Sequence, residues 1–212
     1  MKQTIDYSVY LVTDDSFLRG RNFAACIEAA LQGGVTLLQY RAKAADSRML
    51  FEQALLLKKL CAAYKVPLLI NDRADIALAV QADGVHLGQS DLPVAVARRL
   101  LGERAIIGAS AHNVVEAQQA VAAGADYLGC GAVFGTTTKL DAGYLGLAGL
   151  LQIRKAVTVP IVGIGGVNVN NFAQVLQTGA DGAAIVSGIL AADDIRDAAG
   201  KFAVLAQKYK KI

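Results

Sequence analysis

Short, continuously apolar runs alternate with amphipathic runs along the whole chain, the pattern of repeated strand–helix units built around a parallel sheet. The apolar runs read as strands at Val9–Thr13, Thr36–Arg41, Leu68–Asn71, Gly84–Leu87, Ile106–Ser110, Tyr127–Gly131, Ile161–Gly163 and Ala183–Val186, each followed by a stretch of helical periodicity. Few of these runs alternate apolar with polar positions, so both faces of each strand are expected to be covered.

Punctuation divides the chain at the same places. Pro67 and Pro160 stand just before strands, where a missing N–H costs little, and Pro93 stands in a helix first turn. Helix-to-strand joints recur as Gln81-Ala82-Asp83-Gly84, Gly124-Ala125-Asp126-Tyr127 and Gly179-Ala180-Asp181-Gly182, with a related Gly33-Gly34 before the second strand. Glycine there supplies the left-handed turn that ends a helix. The joints precede every second strand, a weak internal repeat. The pattern predicts an α/β fold, a single (β/α)₈ barrel of the TIM type, with residues 1–212 as a single catalytic domain. The rival, an open doubly wound sheet, needs a topological switch point and favours a first-turn Gly-x-Gly-x-x-Gly; neither is seen.

Composition narrows the function. The 212 residues are short for such a barrel but within its range. With 54% hydrophobic and 18% charged residues, the chain has apolar volume for a two-layer core and no sign of a disordered tail. Net charge is only +3, and the one dense basic run, Lys208–Lys211, suits a helix C-terminus. Without a basic stripe, no nucleic-acid partner is expected, and small anionic substrates fit better. Cys26, Cys61 and Cys130 are odd in number and lack metal or redox spacing, which points to a reducing cytoplasmic setting. No apolar stretch suggests a signal peptide or a membrane span.

In barrels of this type the reacting groups come from the C-terminal ends of several strands. Those ends carry Gln39, Arg41 and Lys43 after strand 2, Asn71 and Asp72 after strand 3, Asp91 after strand 4 and Ser110 after strand 5. Strand 6 exits into Gly135-Thr136-Thr137-Thr138-Lys139, strand 7 into Gly165-Gly166 and strand 8 into Ser187-Gly188. Gln39, Arg41 and Lys43 are spaced by two, so in extended chain they share the interior side with Val35 and Leu37, while Leu38 and Tyr40 face the helices. Such a set is a clamp for a multiply charged phosphate. Asp72 and Asp91 fit Mg²⁺, which takes one or two carboxylates together with substrate oxygens. Each also stands where it could cap a helix. Gly165-Gly166 and Ser187-Gly188 occupy the usual phosphate position of the fold, where glycine lets an anion approach the main chain. The threonine loop offers hydroxyls and an ammonium to anionic ligands. His86, inside strand 4, reads as a core or supporting residue, and His112 as a helix-start residue that could also handle a proton.

Taken together, Gln39-x-Arg41-x-Lys43, Asn71-Asp72, His86-Leu87-Gly88-Gln89-Ser90-Asp91, Ser110-Ala111-His112, Thr136-x-Thr138-Lys139, Gly163-Ile164-Gly165-Gly166 and Val186-Ser187 resemble the thiamine-phosphate synthase family from the first strand to the last. The resemblance implies a transferase that joins hydroxymethylpyrimidine diphosphate to a thiazole phosphate, with Mg²⁺ as cofactor and release of pyrophosphate. It implies that Gln39, Tyr40, Arg41, Ala42, Lys43, Asn71, Ser110 and Lys139 hold the pyrimidine diphosphate, with Arg41, Lys43, Ser110 and Lys139 catalytic. Asp72 and Asp91 would bind the metal, and Thr136, Thr137, Thr138, Gly166, Val186 and Ser187 the thiazole phosphate. Gly135 departs from the bulkier residue or proline that many relatives carry before the threonines. The implied partners are small phosphorylated heterocycles, with neither nucleic acid nor membrane, and a homo-oligomer is left open. Two competitors remain: a thiazole tautomerase of the same superfamily, using a His such as His112, and a non-catalytic barrel that binds a phosphorylated metabolite. The first has no use for a diphosphate clamp.

Overall fold

Eight parallel strands close into a barrel in chain order, each bonded to the next and the last to the first. The structure, a computed structural model, describes residues 4–135 and 144–209. The strands are β1 Val9–Val12, β2 Leu37–Tyr40, β3 Leu68–Asn71, β4 Gly84–Leu87, β5 Ile106–Ala111, β6 Tyr127–Gly131, β7 Ile161–Ile164 and β8 Gly182–Ile185. Every predicted strand is present, its ends shifted by at most one residue. Around them lie α1 Phe23–Gln32, α2 Ser47–Tyr64, α3 Ala74–Ala79, α4 Val94–Leu101, α5 Val114–Ala122, α6 Gly146–Ala156 and α7 Phe172–Gln177. Two helices follow β8, the short α8 Ser187–Leu190 and α9 Ile195–Tyr209. Among the described residues no helix is long and apolar enough to cross a membrane.

Strand alternation builds two apolar layers. Leu38, Tyr40, Ile70, Val85 and Leu128 face outward against the helices, while Tyr10, Val12, Leu37, Leu69, Tyr127, Val162 and Ala184 fill the barrel. Val35 belongs to the outer layer, not the interior expected for it. The reason is that β2 starts only at Leu37, so the two-residue alternation does not reach back through the turn at Gly34, whose φ is +103°. Inside, two glycines make room for bulk. A Cβ on Gly108 would lie 2.2–2.4 Å from the Tyr127 ring and hydroxyl, and one on Gly129 would lie 2.9 Å from His86 Cε1. Large polar side chains occupy the barrel because neighbouring strands contribute no side chain there.

The repeated joints serve more than helix termination. Asp83, Asp126 and Asp181 each accept a backbone N–H from the start of the preceding strand: Leu68 N at 2.8 Å, Ile107 N at 2.9 Å and Ile161 N at 2.9 Å. Each is also paired with a helix cation, Lys58, Arg98 or Arg154 respectively. At the first pair of strands Thr36 takes over, its hydroxyl accepting from Val9 N at 3.0 Å. The alternate-strand repeat therefore ties each odd strand to the joint that follows it. Asp126→Ala, which strands the Ile107 N–H and removes the carboxylate partner of Arg98, is expected to cost about 1–3 kcal/mol of stability. Urea unfolding checks this: the midpoint should fall with an unaltered slope, and an unmoved midpoint would remove the joint from the stability account.

Candidate active site

At the C-terminal ends of the strands a cavity of about 320 Å³ is lined by Gln39, Arg41, Lys43, Asn71, Asp72, Asp91, Ser110, Gly165, Gly166, Val186 and Ser187. Residues far apart in sequence thus converge on one mouth. A larger hollow, about 660 Å³, opens at the opposite rim beside Tyr7, Asp83 and Asp126. Two of its polar groups, Asp83 and Asp126, are already committed to the strand-start contacts above.

The first exit, at the end of β1, organises the clamp. Thr13 Oγ1 accepts from Arg41 N at 2.7 Å and donates to Arg41 O at 2.9 Å, fixing the main chain there. Arg41 Nη1 meets Asp14 Oδ2 at 2.7 Å, and Lys43 Nζ meets Asp72 Oδ2. Both cations are thus held by carboxylates at the mouth. Asp14, which does not itself line the cavity but positions Arg41, is a residue that the sequence reading did not single out. Its signal was a polar residue directly beyond a strand end, the rule applied to the later exits but not to the first.

Gln39 lies below this clamp. It is 4% exposed and its Nε2 donates to the Tyr10 hydroxyl, so it belongs to the floor of the cavity and not to a phosphate-facing trio. The side chains of Tyr40 and Ala42 turn away from the mouth into the helix layer, where the Tyr40 hydroxyl donates to Gln53 Oε1 at 2.6 Å. Alternation along β2 leaves only their main chain for the ligand side. Thr136, Thr137, Thr138 and Lys139 lie outside the described residues.

Neither aspartate caps a helix with its side chain. The residue before α3 is Arg73 and that before α4 is Pro93, and neither helix start receives a side-chain cap bond. Asp72 is instead held in the left-handed region, φ +61°, with its N–H on the His86 carbonyl at 2.8 Å. Asp91 closes the turn after β4 by accepting from Gly88 N at 2.6 Å. The two carboxyls are close enough to interact directly. Burial would raise the Asp72 carboxyl, but hydrogen bonds from Asp91 and Lys43 outweigh it and hold it below the usual range. Burial and the neighbouring Asp72 push the Asp91 carboxyl up. Two adjoining hard-oxygen donors, one of them made harder to ionise by the other, suit a small divalent cation. Among the described residues no cluster of three or more His, Cys, Asp or Glu side chains forms a protein cage, which a Mg²⁺ sharing its shell with a diphosphate does not need.

On the far side of the mouth Gly165 and Gly166 have φ of +99° and +65°. A Cβ on Gly166 would meet Gly135 O at 2.4 Å and Phe134 Cβ at 2.9 Å. The glycine is thus required first by the β6 exit packed over it, and only then by any anion. His112 is a helix-start residue: its N–H and its Nδ1 both reach Glu116 Oε2, at 2.8 and 2.9 Å.

This geometry has counterparts. The family model described as thiamine monophosphate synthase matches residues 9–189. The chain belongs to that family. A thiamine-phosphate synthase of Chloroflexus aurantiacus is 54% identical over 202 residues, covering 95% of this chain and 93% of its own. One from Clostridium acetobutylicum is 51% identical over 197 residues, 93% of each chain. The solved thiamine phosphate pyrophosphorylase of Pyrococcus furiosus superposes with a TM-score of 0.90 at 39% identity, over 96% of this chain and 97% of that one. As a thiamine monophosphate synthase family member, the chain is an enzyme of the transferase class, and its cavity is the family barrel's C-terminal mouth.

Proposed function

We infer that this enzyme couples hydroxymethylpyrimidine diphosphate to the phosphoethyl-thiazole phosphate, or its carboxylated form, giving thiamine phosphate and pyrophosphate. The observation that carries this reading is one cavity bearing two cations and two adjoining carboxylates on one side and a glycine-serine cup on the other. Two anionic substrates need two such places facing each other.

Arg41 and Lys43 exchange their carboxylate partners for diphosphate oxygens and balance the charge that gathers as the carbon–oxygen bond breaks. An electron-rich aminopyrimidine stabilises the resulting cation, so no protein nucleophile is required. Ser110 and Gln39 hold the ring from the floor. Gly165, Gly166 and Ser187 hold the second substrate's phosphate, setting the thiazole nitrogen toward the exocyclic carbon. Asp72 and Asp91 would hold Mg²⁺, which when bound supplies further charge neutralisation to the leaving diphosphate. The partners are thus two small phosphorylated heterocycles. Three buried, unpaired thiols at Cys26, Cys61 and Cys130 suit a reducing cytoplasm.

A coupling assay with both substrates tests this directly. Thiamine phosphate and pyrophosphate should form in equal amounts with Mg²⁺ and stop on chelation. No product from both substrates would end the transferase reading, and product undiminished by chelator would end the metal role.

A further inference from the structure

The barrel interior carries a chain of polar groups that crosses five strands and ends at the cavity. Gln39 Nε2 on β2 donates to the Tyr10 hydroxyl on β1. The Tyr10 and Tyr127 hydroxyls are 2.7 Å apart. Tyr127, on β6, lies 2.8 Å from His86 Nδ1 on β4, and His86 Nε2 lies 3.0 Å from Ser110 Oγ on β5. Tyr10, Gln39, His86 and Ser110 all reach the cavity wall.

Hydrogen counting gives this chain a direction. A phenol has one hydrogen to donate, and burial pushes both tyrosines above their usual range, so each keeps it. With the Gln39 amide N–H pointing at Tyr10, the Tyr10 hydrogen is directed to the Tyr127 oxygen. Tyr127 must then donate to His86 Nδ1. A neutral imidazole that accepts at Nδ1 carries its hydrogen on Nε2, which donates to Ser110 Oγ. The Ser110 hydroxyl, already accepting, has its own hydrogen left for the cavity. Its main chain is steadied by Gln89 Nε2, which donates to Ser110 O at 2.6 Å.

We propose that Tyr127 is a positioning residue: through His86 it fixes the Ser110 hydroxyl as a hydrogen-bond donor to a ring nitrogen of the bound pyrimidine. The identity of that ligand rests on the coupling reading above; the direction of the chain does not. The glycines at 108 and 129 fit this role, since a side chain at either would displace Tyr127 or His86. Reversal would require every link from Gln39 to Ser110 to turn at once.

The chain contains two histidines, so ring ¹⁵N signals of histidine-labelled protein are assigned with a single His112→Asn control. In the unaltered, substrate-free protein His86 should carry its hydrogen on Nε2. Tyr127→Phe keeps the ring in its hollow and should abolish that preference. The same variant should raise KM for the pyrimidine diphosphate roughly tenfold, the scale of one well-placed hydrogen bond, and leave KM for the thiazole phosphate unchanged. Tyr10→Phe, one link earlier, should weaken the tautomer preference too and serves if Tyr127→Phe does not fold. Ser110→Ala combined with Tyr127→Phe should be no worse than Ser110→Ala alone. A hydrogen on Nδ1 of His86 in the unaltered protein overturns the direction of the chain, and additive losses in the double variant overturn action through Ser110. Because the NMR reading needs no substrate, its outcome is separate from that of the coupling assay.

Discussion

Asp91→Ala is expected to lower kcat/KM about a hundredfold or more while leaving the protein folded, the scale of losing one preorganised electrostatic group at a charge-developing centre. Two contacts define the residue: its carboxyl accepts from Gly88 N at 2.6 Å and adjoins that of Asp72. Alanine removes both, and the orphaned Gly88 N–H should cost about 1 kcal/mol of stability. Asp91→Asn separates the roles. Its amide oxygen can still accept from Gly88 and its amide nitrogen can donate to Asp72, so the turn stays closed while the charge is gone. The asparagine variant should therefore match the unaltered protein in thermal unfolding yet remain close to alanine in turnover. Rates measured across a range of Mg²⁺ concentration are the check. If Asp91→Asn turns over normally with an unchanged Mg²⁺ dependence, the carboxylate has no part in holding the metal and serves only the turn.

Gly166→Val should have the second large effect, and for two reasons. At φ +65° a β-branched residue is strained by roughly 1–3 kcal/mol. Its Cβ would also fall 2.4 Å from Gly135 O, so the main chain leaving β6 must move. Ala132, three residues earlier on that main chain, lines the cavity together with Gly166 and Ser187. The expected result is a lower unfolding temperature together with a KM for the thiazole phosphate raised at least tenfold, the pyrimidine KM changing much less. Gly166→Ala should show the same pattern in weaker form, because it shares the φ and the first clash but lacks the branch. An effect confined to the pyrimidine diphosphate would refute the assignment of this side of the mouth to the second substrate.

The barrel itself was legible from the sequence because its signals are local. A buried parallel strand needs a short apolar run, a helix needs its period, and a joint needs glycine, and all three are written within a few residues of each other. The exits of strands 2 to 5, 7 and 8 were legible for the same reason: a polar or glycine residue at the end of an apolar run marks a strand's open end, and residues from each of them line the cavity. What stayed hidden depends on partners distant in sequence. Whether Asp91 caps a helix or closes a turn was settled by Gly88 and Pro93, and the alternatives looked alike in one dimension. Gln39 looked like part of a phosphate clamp by spacing, yet the Tyr10 hydroxyl claims it. Arg41 looked like an open cation until Asp14, 27 residues earlier, proved to hold it.

Sequence alone determined that eight strand–helix units would bring anion-seeking groups to one rim, since periodicity and exit chemistry are properties of neighbouring residues. Tertiary structure decided which of those groups are paired, which lie on the floor and which way the interior hydrogen bonds run. Those outcomes are set by barrel closure and register, which bring β1 against β8 and Tyr127 beside His86, and no local propensity encodes a contact made across the width of a barrel.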